Sequence, residues 1–400
     1  MTRGPAPRIA LLAALAFLGS CGGGGGAGGT RSCDPPGNYP VGVYRGPQLA
    51  LPTPTSMTIA WTTTTSVIGA VEYGATSGYG SSVVESSPTT SHQISVSPLS
   101  PATTYHYRID DAAAPAGGDH TFTTPPSSAA TTARFAVIGD SGTGCPEEYD
   151  AIARIAAFGP DFVLGTGDMA YFDGTPFEVH FRYTIPFAPL SEAVPVFPCL
   201  GNHDVSTANG QPFLDAIVLP TNLADGTEHY YSFDWGPCHV VALDSNQDAS
   251  VGSLQRAWLD TDLASSSAAW KFVFFHHPPY SSSSHGSELA LRAALGPVFD
   301  ARHVDVVFNG HDHDYERTYP MLASVATDAV EEPDFVSPAG TVYVVTGGGG
   351  QDLYPSGTSS FTAFSRSVHH VVQADVVGNV LTITALQIDG TILDRMSITK

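Results

Sequence analysis

Basic residues are scarce in this chain: its 400 residues carry 16 Lys and Arg against 38 Asp and Glu, for a formal net charge of −22, and Lys271 and Lys400 are the only lysines. No basic stripe is available to release counterions from a phosphate backbone, which argues against nucleic acid as the main partner. Small anionic substrates stay open, because bound cations would dominate the local field whatever the global charge. Long apolar runs are also missing. The longest candidate, 9–18, is too short to span a bilayer and follows Arg3 and Arg8, so it reads as the apolar core of a signal peptide. Cysteine is limited to Cys21, Cys33, Cys145, Cys199 and Cys238.

What the chain does have is five short apolar runs, each ending in side chains that bind hard cations. They are 134–139 before Asp140, 162–165 before Asp168 and Tyr171, 194–201 before Asn202 and His203, 271–275 before His276, and 304–310 before His311 and His313. Runs rich in Val, Phe and Ile and closed by Gly or Pro predict buried strands. Helical spacing lies between them, at Ile152, Ile155 and Phe158 and at Leu291, Leu295, Val298 and Phe299. Strand and helix therefore alternate. In an open α/β sheet, ligands gather beyond the carboxyl ends of the strands, where all five polar clusters fall.

Alone, each cluster is weak, since an Asp after a strand is more often a turn or cap residue than a ligand. Five in succession predict a dinuclear metal site, in which a carboxylate such as Asp168 can bridge two cations about 3.5–4 Å apart. A phenolate from Tyr171 favours ferric iron.

The five blocks read Gly139-Asp140-Ser141-Gly142, Gly167-Asp168-Met169-Ala170-Tyr171, Gly201-Asn202-His203-Asp204, Val273-Phe274-Phe275-His276 and Gly310-His311-Asp312-His313. In order and residue type they resemble the purple acid phosphatases, a branch of the calcineurin-like metallophosphoesterases. Gly142 and Tyr171 stand where generic members of that superfamily carry His and Asp. The resemblance implies an α/β catalytic domain of the metallophosphoesterase αββα-sandwich type. It implies that Asp140, Asp168, Tyr171 and His313 bind Fe(III), and that Asp168, Asn202, His276 and His311 bind a divalent Fe, Zn or Mn. His203 and His285 match the substrate-contact histidines, suited to hold phosphoryl oxygens or protonate a leaving group. Asp204 replaces the commoner Glu, and His277 has no assigned role.

Before that domain, runs at 56–62, 67–73, 91–96 and 104–109 alternate polar and apolar residues between Pro, Gly, Ser and Thr clusters, which predicts a small all-β sandwich with Trp61 and Tyr105–Tyr107 in its core. Arg45-Gly46-Pro47, Glu72-Tyr73-Gly74 and 99–105 resemble the fibronectin type III-like domain found in many purple acid phosphatases. The expected organisation is a signal peptide over 1–20, a Gly-rich tether over 21–43, the sandwich over 44–126, a linker over 127–133 and the catalytic domain over 134–400. Leu18-Gly19-Ser20-Cys21 resembles a bacterial lipobox, which implies a lipid anchor on Cys21 and a place in the cell envelope; plain secretion is the alternative. The remaining four cysteines allow three pairings. A structural or disulfide role fits Cys145 better than ligation, and Cys199 and Cys238 could be neighbours.

The function expected is hydrolysis of small phosphate monoesters by a metal-bound hydroxide. The alternatives are cleavage of phosphodiesters or nucleotides at the same site, governed by loops 281–287 and 352–364, and a surface module that binds without catalysis. The glycines at 347–350 after the run 341–345 lack the Lys and helix of a P-loop, so they read as a flexible turn near the site. His229, His239, His369 and His370 read as packing or surface histidines.

Overall fold

Successive side chains on a strand point to opposite faces, and in this chain the two faces of one sheet serve two different cores. Phe272 and Phe274 of the strand Trp270–Phe274 join one apolar cluster, whereas Val273 and the following Phe275 join another. This division builds the catalytic half in layers. The computed structural model describes Cys33, 45–110, 118–222, 226–329 and 333–400.

Two seven-stranded sheets form the centre. The first runs in the order 196–198, 162–165, 132–138, 370–377, 380–387, 392–399 and 334–336. The second runs 231–235, 238–242, 270–274, 306–309, 342–346, 315–318 and 362–366. Aromatic rings join them face to face: Phe135 meets Phe272 at 5.0 Å, Phe162 meets Phe233 at 5.4 Å, and Phe197 stacks on Phe233 at 3.8 Å. Helix Pro146–Phe158 covers the first sheet, placing Ala151, Ile152 and Ile155 in that core. Helices Leu254–Ser265 and Leu289–Arg302 cover the second, with Leu259, Leu263, Leu295, Val298 and Phe299 against Val273, Phe275 and Val307. The result is the αββα sandwich expected from the resemblance. Three of the five ligand-bearing strands lie in the first sheet and two in the second, a division that strand–helix alternation does not reveal. Periodicity cannot distinguish one sheet from two, because a strand buried on both faces looks the same in either.

The segment 45–123 forms a separate three-stranded sheet and four-stranded sheet around Trp61, Val71, Tyr107 and Phe122. It docks on the catalytic half through Tyr107 Oη, which donates to the Glu192 carbonyl at 2.7 Å, and Gln48 Nε2, which donates to the Ala216 carbonyl at 3.0 Å. The leader 1–20, Cys21 and the tether lie outside the described residues, Cys33 excepted. Cys33 is disulfide-bonded to Cys145, while Cys199 and Cys238 are buried and free. Of the three pairings, the one that would join Cys199 to Cys238 is only half realised: Cys199 follows the strand 196–198 of the first sheet, Cys238 opens the strand Cys238–Ala242 of the second, and both are free thiols. No described helix is long and apolar enough to cross a membrane.

His239 is indeed a packing histidine, and an ionised one. Burial acts to lower its pKa, but hydrogen bonds with Asp234 at 2.8 Å and Asp262 at 2.9 Å outweigh it and raise the imidazole to about 9. A raised folded-state pKa adds stability that is complete below about pH 6.5 and is lost as the pH rises through 9. With a discount for the exposed Asp234, His239→Gln should cost on the order of 2 kcal/mol at pH 6 and much less at pH 9.5, read by urea unfolding. Equal costs at both pH values would contradict the assignment.

Candidate metal centre

The ligand-bearing loops converge because all five strands end on the same side of the sandwich. Their backbones there leave ordinary geometry: Asp140, Asp168 and His311 adopt φ of 55°, 53° and 72°, a left-handed conformation that is uncommon outside glycine and clusters at functional sites. Two glycines permit the close approach. A Cβ on Gly201 would overlap the Asp168 carboxylate, and one on Gly310 would overlap that of Asp140.

Seven predicted ligands come together as two groups. In one, Asn202 Oδ1 lies 3.0 Å from both His276 Nε2 and His311 Nδ1, which are 3.2 Å apart. In the other, Tyr171 Oη lies 3.2 Å from Asp140 Oδ1 and 3.1 Å from His313 Nε2, with 3.5 Å between the last two. Donors bound at about 2.1 Å to one octahedral cation are separated by about 3 Å along an edge, so each triangle fits one face of a coordination sphere. Asp168 stands between them: its carboxylate is 3.3 Å from His276 Nε2, and ligand atoms of Asp140, Asp168 and His276 all lie within 4.8 Å of one another. The residues present therefore fit two cations sharing Asp168.

Hydrogen bonds fix the imidazoles. His276 Nδ1 is 2.9 Å from the Thr166 carbonyl, His313 Nδ1 is 2.7 Å from that of Asp352, and His203 Nδ1 is 2.6 Å from that of Phe172. Each contact takes the Nδ1–H and turns Nε2 toward the site. Electrostatics reflects crowding of like charge. Burial, opposed by His276 and His313, raises the Asp140 carboxyl. Burial also works against an ionised Asp168, yet adjacent His276 brings that carboxyl below its ordinary value. His276 itself, disfavoured by burial but facing Asp168 and Asp140, is raised to about 10. Burial and the neighbouring Asp140 and Asp168 push the Tyr171 phenol well up, so without compensating positive charge it stays protonated.

The two predicted substrate histidines are more open than the carboxylate ligands and His276. His203 side chain is 30% exposed, with Nε2 3.9 Å from Asp168, and His285 is 42% exposed, against 2% or less for Asp140, Asp168 and His276. An incoming molecule can therefore reach them. His285 is anchored by Asp312, whose Oδ1 accepts from its backbone N–H at 2.9 Å and pairs with Nδ1 at 3.1 Å.

Sequence reasoning overlooked several supports. The buried Asp204 carboxylate accepts from the backbone N–H groups of Met169, Ala170 and Gly201, pinning the Asp168 loop to the Asn202 loop. Tyr354 stacks on His313 at 4.0 Å. Neither has a local signal beyond the residue type. The glycines 347–350 adjoin the site as expected, but they are buried and hydrogen-bonded: Gly349 N–H donates to the Gly139 carbonyl, and Gln351 N–H to that of Asp140. The flexibility expected of this turn gives way to close packing, because side chains at 347, 349 and 350 would collide with the Asp140 loop and one at 348 with His370.

Residues 133–315 match the Calcineurin-like phosphoesterase family, and 45–124 match the purple acid phosphatase N-terminal domain. Purple acid phosphatase 23 of Arabidopsis thaliana is 28% identical over 371 residues, covering 76% of this chain and 78% of the relative. Purple acid phosphatase 22 of the same plant is 29% identical over 274 residues, covering 65% of this chain but only 58% of that protein. Among solved structures, a purple acid phosphatase from yellow lupin seeds superposes with a TM-score of 0.80 at 21% identity, covering 88% of this chain and 74% of that one; at this identity the likeness concerns the fold.

Because Gly201 leaves no room for a Cβ, Gly201→Ala should displace Asp168 and lower bound metal per chain by about half or more, with the far-ultraviolet dichroism retained. Full metal content in that variant, by elemental analysis, would contradict the packing.

Proposed function

The chain belongs to the purple acid phosphatase branch of the calcineurin-like metallophosphoesterases, and we propose that it hydrolyses phosphate monoesters at a dinuclear centre of Fe(III) and a divalent Fe, Zn or Mn. It is a metallophosphoesterase hydrolase. The observation that carries the finer proposal is the pair of donor triangles joined by Asp168, one of which contains a phenol. Asp140, Tyr171 and His313 would hold the ferric ion, Asn202, His276 and His311 the divalent one, and Asp168 both. Cations bound there supply positive charge to the phosphoryl group and acidify a water.

This chain's own residues then divide the remaining work. His203, its Nδ1–H given to the Phe172 carbonyl, presents Nε2 beside Asp168, and the doubly protonated ring can donate from Nε2 to a non-bridging phosphoryl oxygen. His285, tied through Nδ1 to Asp312, keeps Nε2 for the leaving oxygen, to which a protonated imidazole can pass its proton. The Asp312 hydrogen bond, larger than the opposing effect of burial, raises the His285 pKa and favours that protonated form. A largely buried ligand set beneath two accessible histidines suits a small ester carried into the site from solvent.

Export fits the cysteine chemistry. A disulfide between Cys33 and Cys145 belongs to an oxidising compartment, and a lipid on Cys21 would leave twelve residues to Cys33, a reach of at most about 40 Å from the membrane. Mass spectrometry of the mature N-terminus should find an acylated Cys21; an unmodified terminus beyond it would eliminate the anchor.

Activity supplies the main test. An aryl phosphate monoester should be cleaved faster than the matching diester, and Asp168→Asn should lower kcat by about 10³-fold or more while the fold persists. Tyr171→Phe should abolish any phenolate-to-iron visible band. Preference for the diester would replace the substrate class, and an active Asp168→Asn enzyme would remove the bridging role.

A further inference from the structure

His277 is the one site histidine to which neither the motif resemblance nor the chemistry above gives work. It follows His276 directly and precedes Pro278-Pro279, a context that restricts its backbone to extended conformations. Its ring lies 4.5 Å from that of His311 and 4.9 Å from that of His276, centroid to centroid. One ring nitrogen from each of His276, His277 and His311 falls within a sphere of mutual separations no larger than 4.8 Å. Among the described residues, only this trio and the group of Asp140, Asp168 and His276 satisfy that condition.

The geometry points to His277 as a further nitrogen ligand of the second cation, making that position a three-imidazole site that selects zinc over manganese. It rests on the two-cation centre proposed above. The contacts of the ring support ligation through Nε2. Nδ1 is engaged by Ser245 Oγ at 2.8 Å, and the same hydroxyl oxygen accepts from the His277 backbone N–H at 3.1 Å. His276 and His313 share this arrangement, with Nδ1 held by a fixed oxygen and Nε2 turned to the cation. Histidine ligands typically show it, since the outer hydrogen bond sets tautomer and ring orientation. Ser245 is therefore a positioning residue for His277, and it comes from the loop after the strand Cys238–Ala242, which none of the five motifs includes.

The donor set decides the selectivity. Asn202 and Asp168 offer oxygen, which suits manganese and magnesium. Two imidazoles from His276 and His311 add affinity for borderline cations, and a third from His277 shifts the preference further toward zinc. The ring of His277 lies no farther from that of His311 than the ring of His276 does, 4.5 Å against 5.0 Å between centroids, and its partial exposure leaves the side chain room to adjust on binding.

The test uses the full mature chain equilibrated in zinc or manganese buffers, with metal per chain read by elemental analysis and the fold checked by dichroism. His277→Asn should weaken zinc retention at the second position by about ten-fold or more and manganese retention by less than about three-fold. Ser245→Ala should weaken zinc in the same direction by a smaller factor. His276→Ala is the control for the underlying centre and should lose the second cation of either kind. If His276→Ala loses it while His277→Asn holds zinc as tightly as the parent, the ligand assignment to His277 is overturned and the two-cation centre stands. If His276→Ala retains both cations, the centre itself is overturned.

Discussion

Two buried carboxylates facing one another constrain everything around them. Asp140 and Asp168 are withdrawn from water at the ends of adjacent strands, where burial opposes their charge and each opposes the other. Such an arrangement is stable only if positive charge is supplied nearby. In the protein alone, His276 carries that charge as a proton, held up to about 10 by the two carboxylates once burial is overcome. A pair of cations would supply it better, and the surrounding histidines, Asn202 and Tyr171 are the donors that would complete their shells.

The layers of the fold serve this pair. Asp140, Asp168 and Asn202 leave the first sheet, His276 and His311 leave the second, and the aromatic interface between Phe135, Phe162, Phe233 and Phe272 fixes the two sets relative to one another. A centre drawn from both sheets is sensitive to their alignment. The Asp204 carboxylate, bonded to three backbone N–H groups across two loops, stiffens the first-sheet half. Left-handed backbone at Asp140, Asp168 and His311 is the local strain that turns these side chains inward.

Much of the centre was legible in the sequence because strand ends carry short-range signals: an apolar run, a glycine, then a ligand. Asp140, Asp168, Asn202, His276 and His311 were all located in this way, and the alternating runs of the first domain became strands. Other features had no such signal. Whether Phe135 and Phe272 belong to one sheet or two depends on long-range pairing that buried strands of either kind permit. The clamp at Asp204, the Asp312 anchor for His285 and the Ser245 contact with His277 join residues at least 27 apart in sequence, except where Asp204 meets Gly201. The glycines at 347–350 looked like a flexible turn because glycine serves both flexibility and close packing; here contact with the Asp140 loop requires the second.

The central claim is that two cations occupy the two donor triangles with Asp168 between them. Anomalous diffraction from crystals of the mature protein, recorded across the iron and zinc absorption edges, tests this directly. The account predicts two peaks about 3.5–4 Å apart, an iron peak touching Tyr171 and a second cation touching Asn202. A single peak, or iron on the Asn202 side, would contradict it.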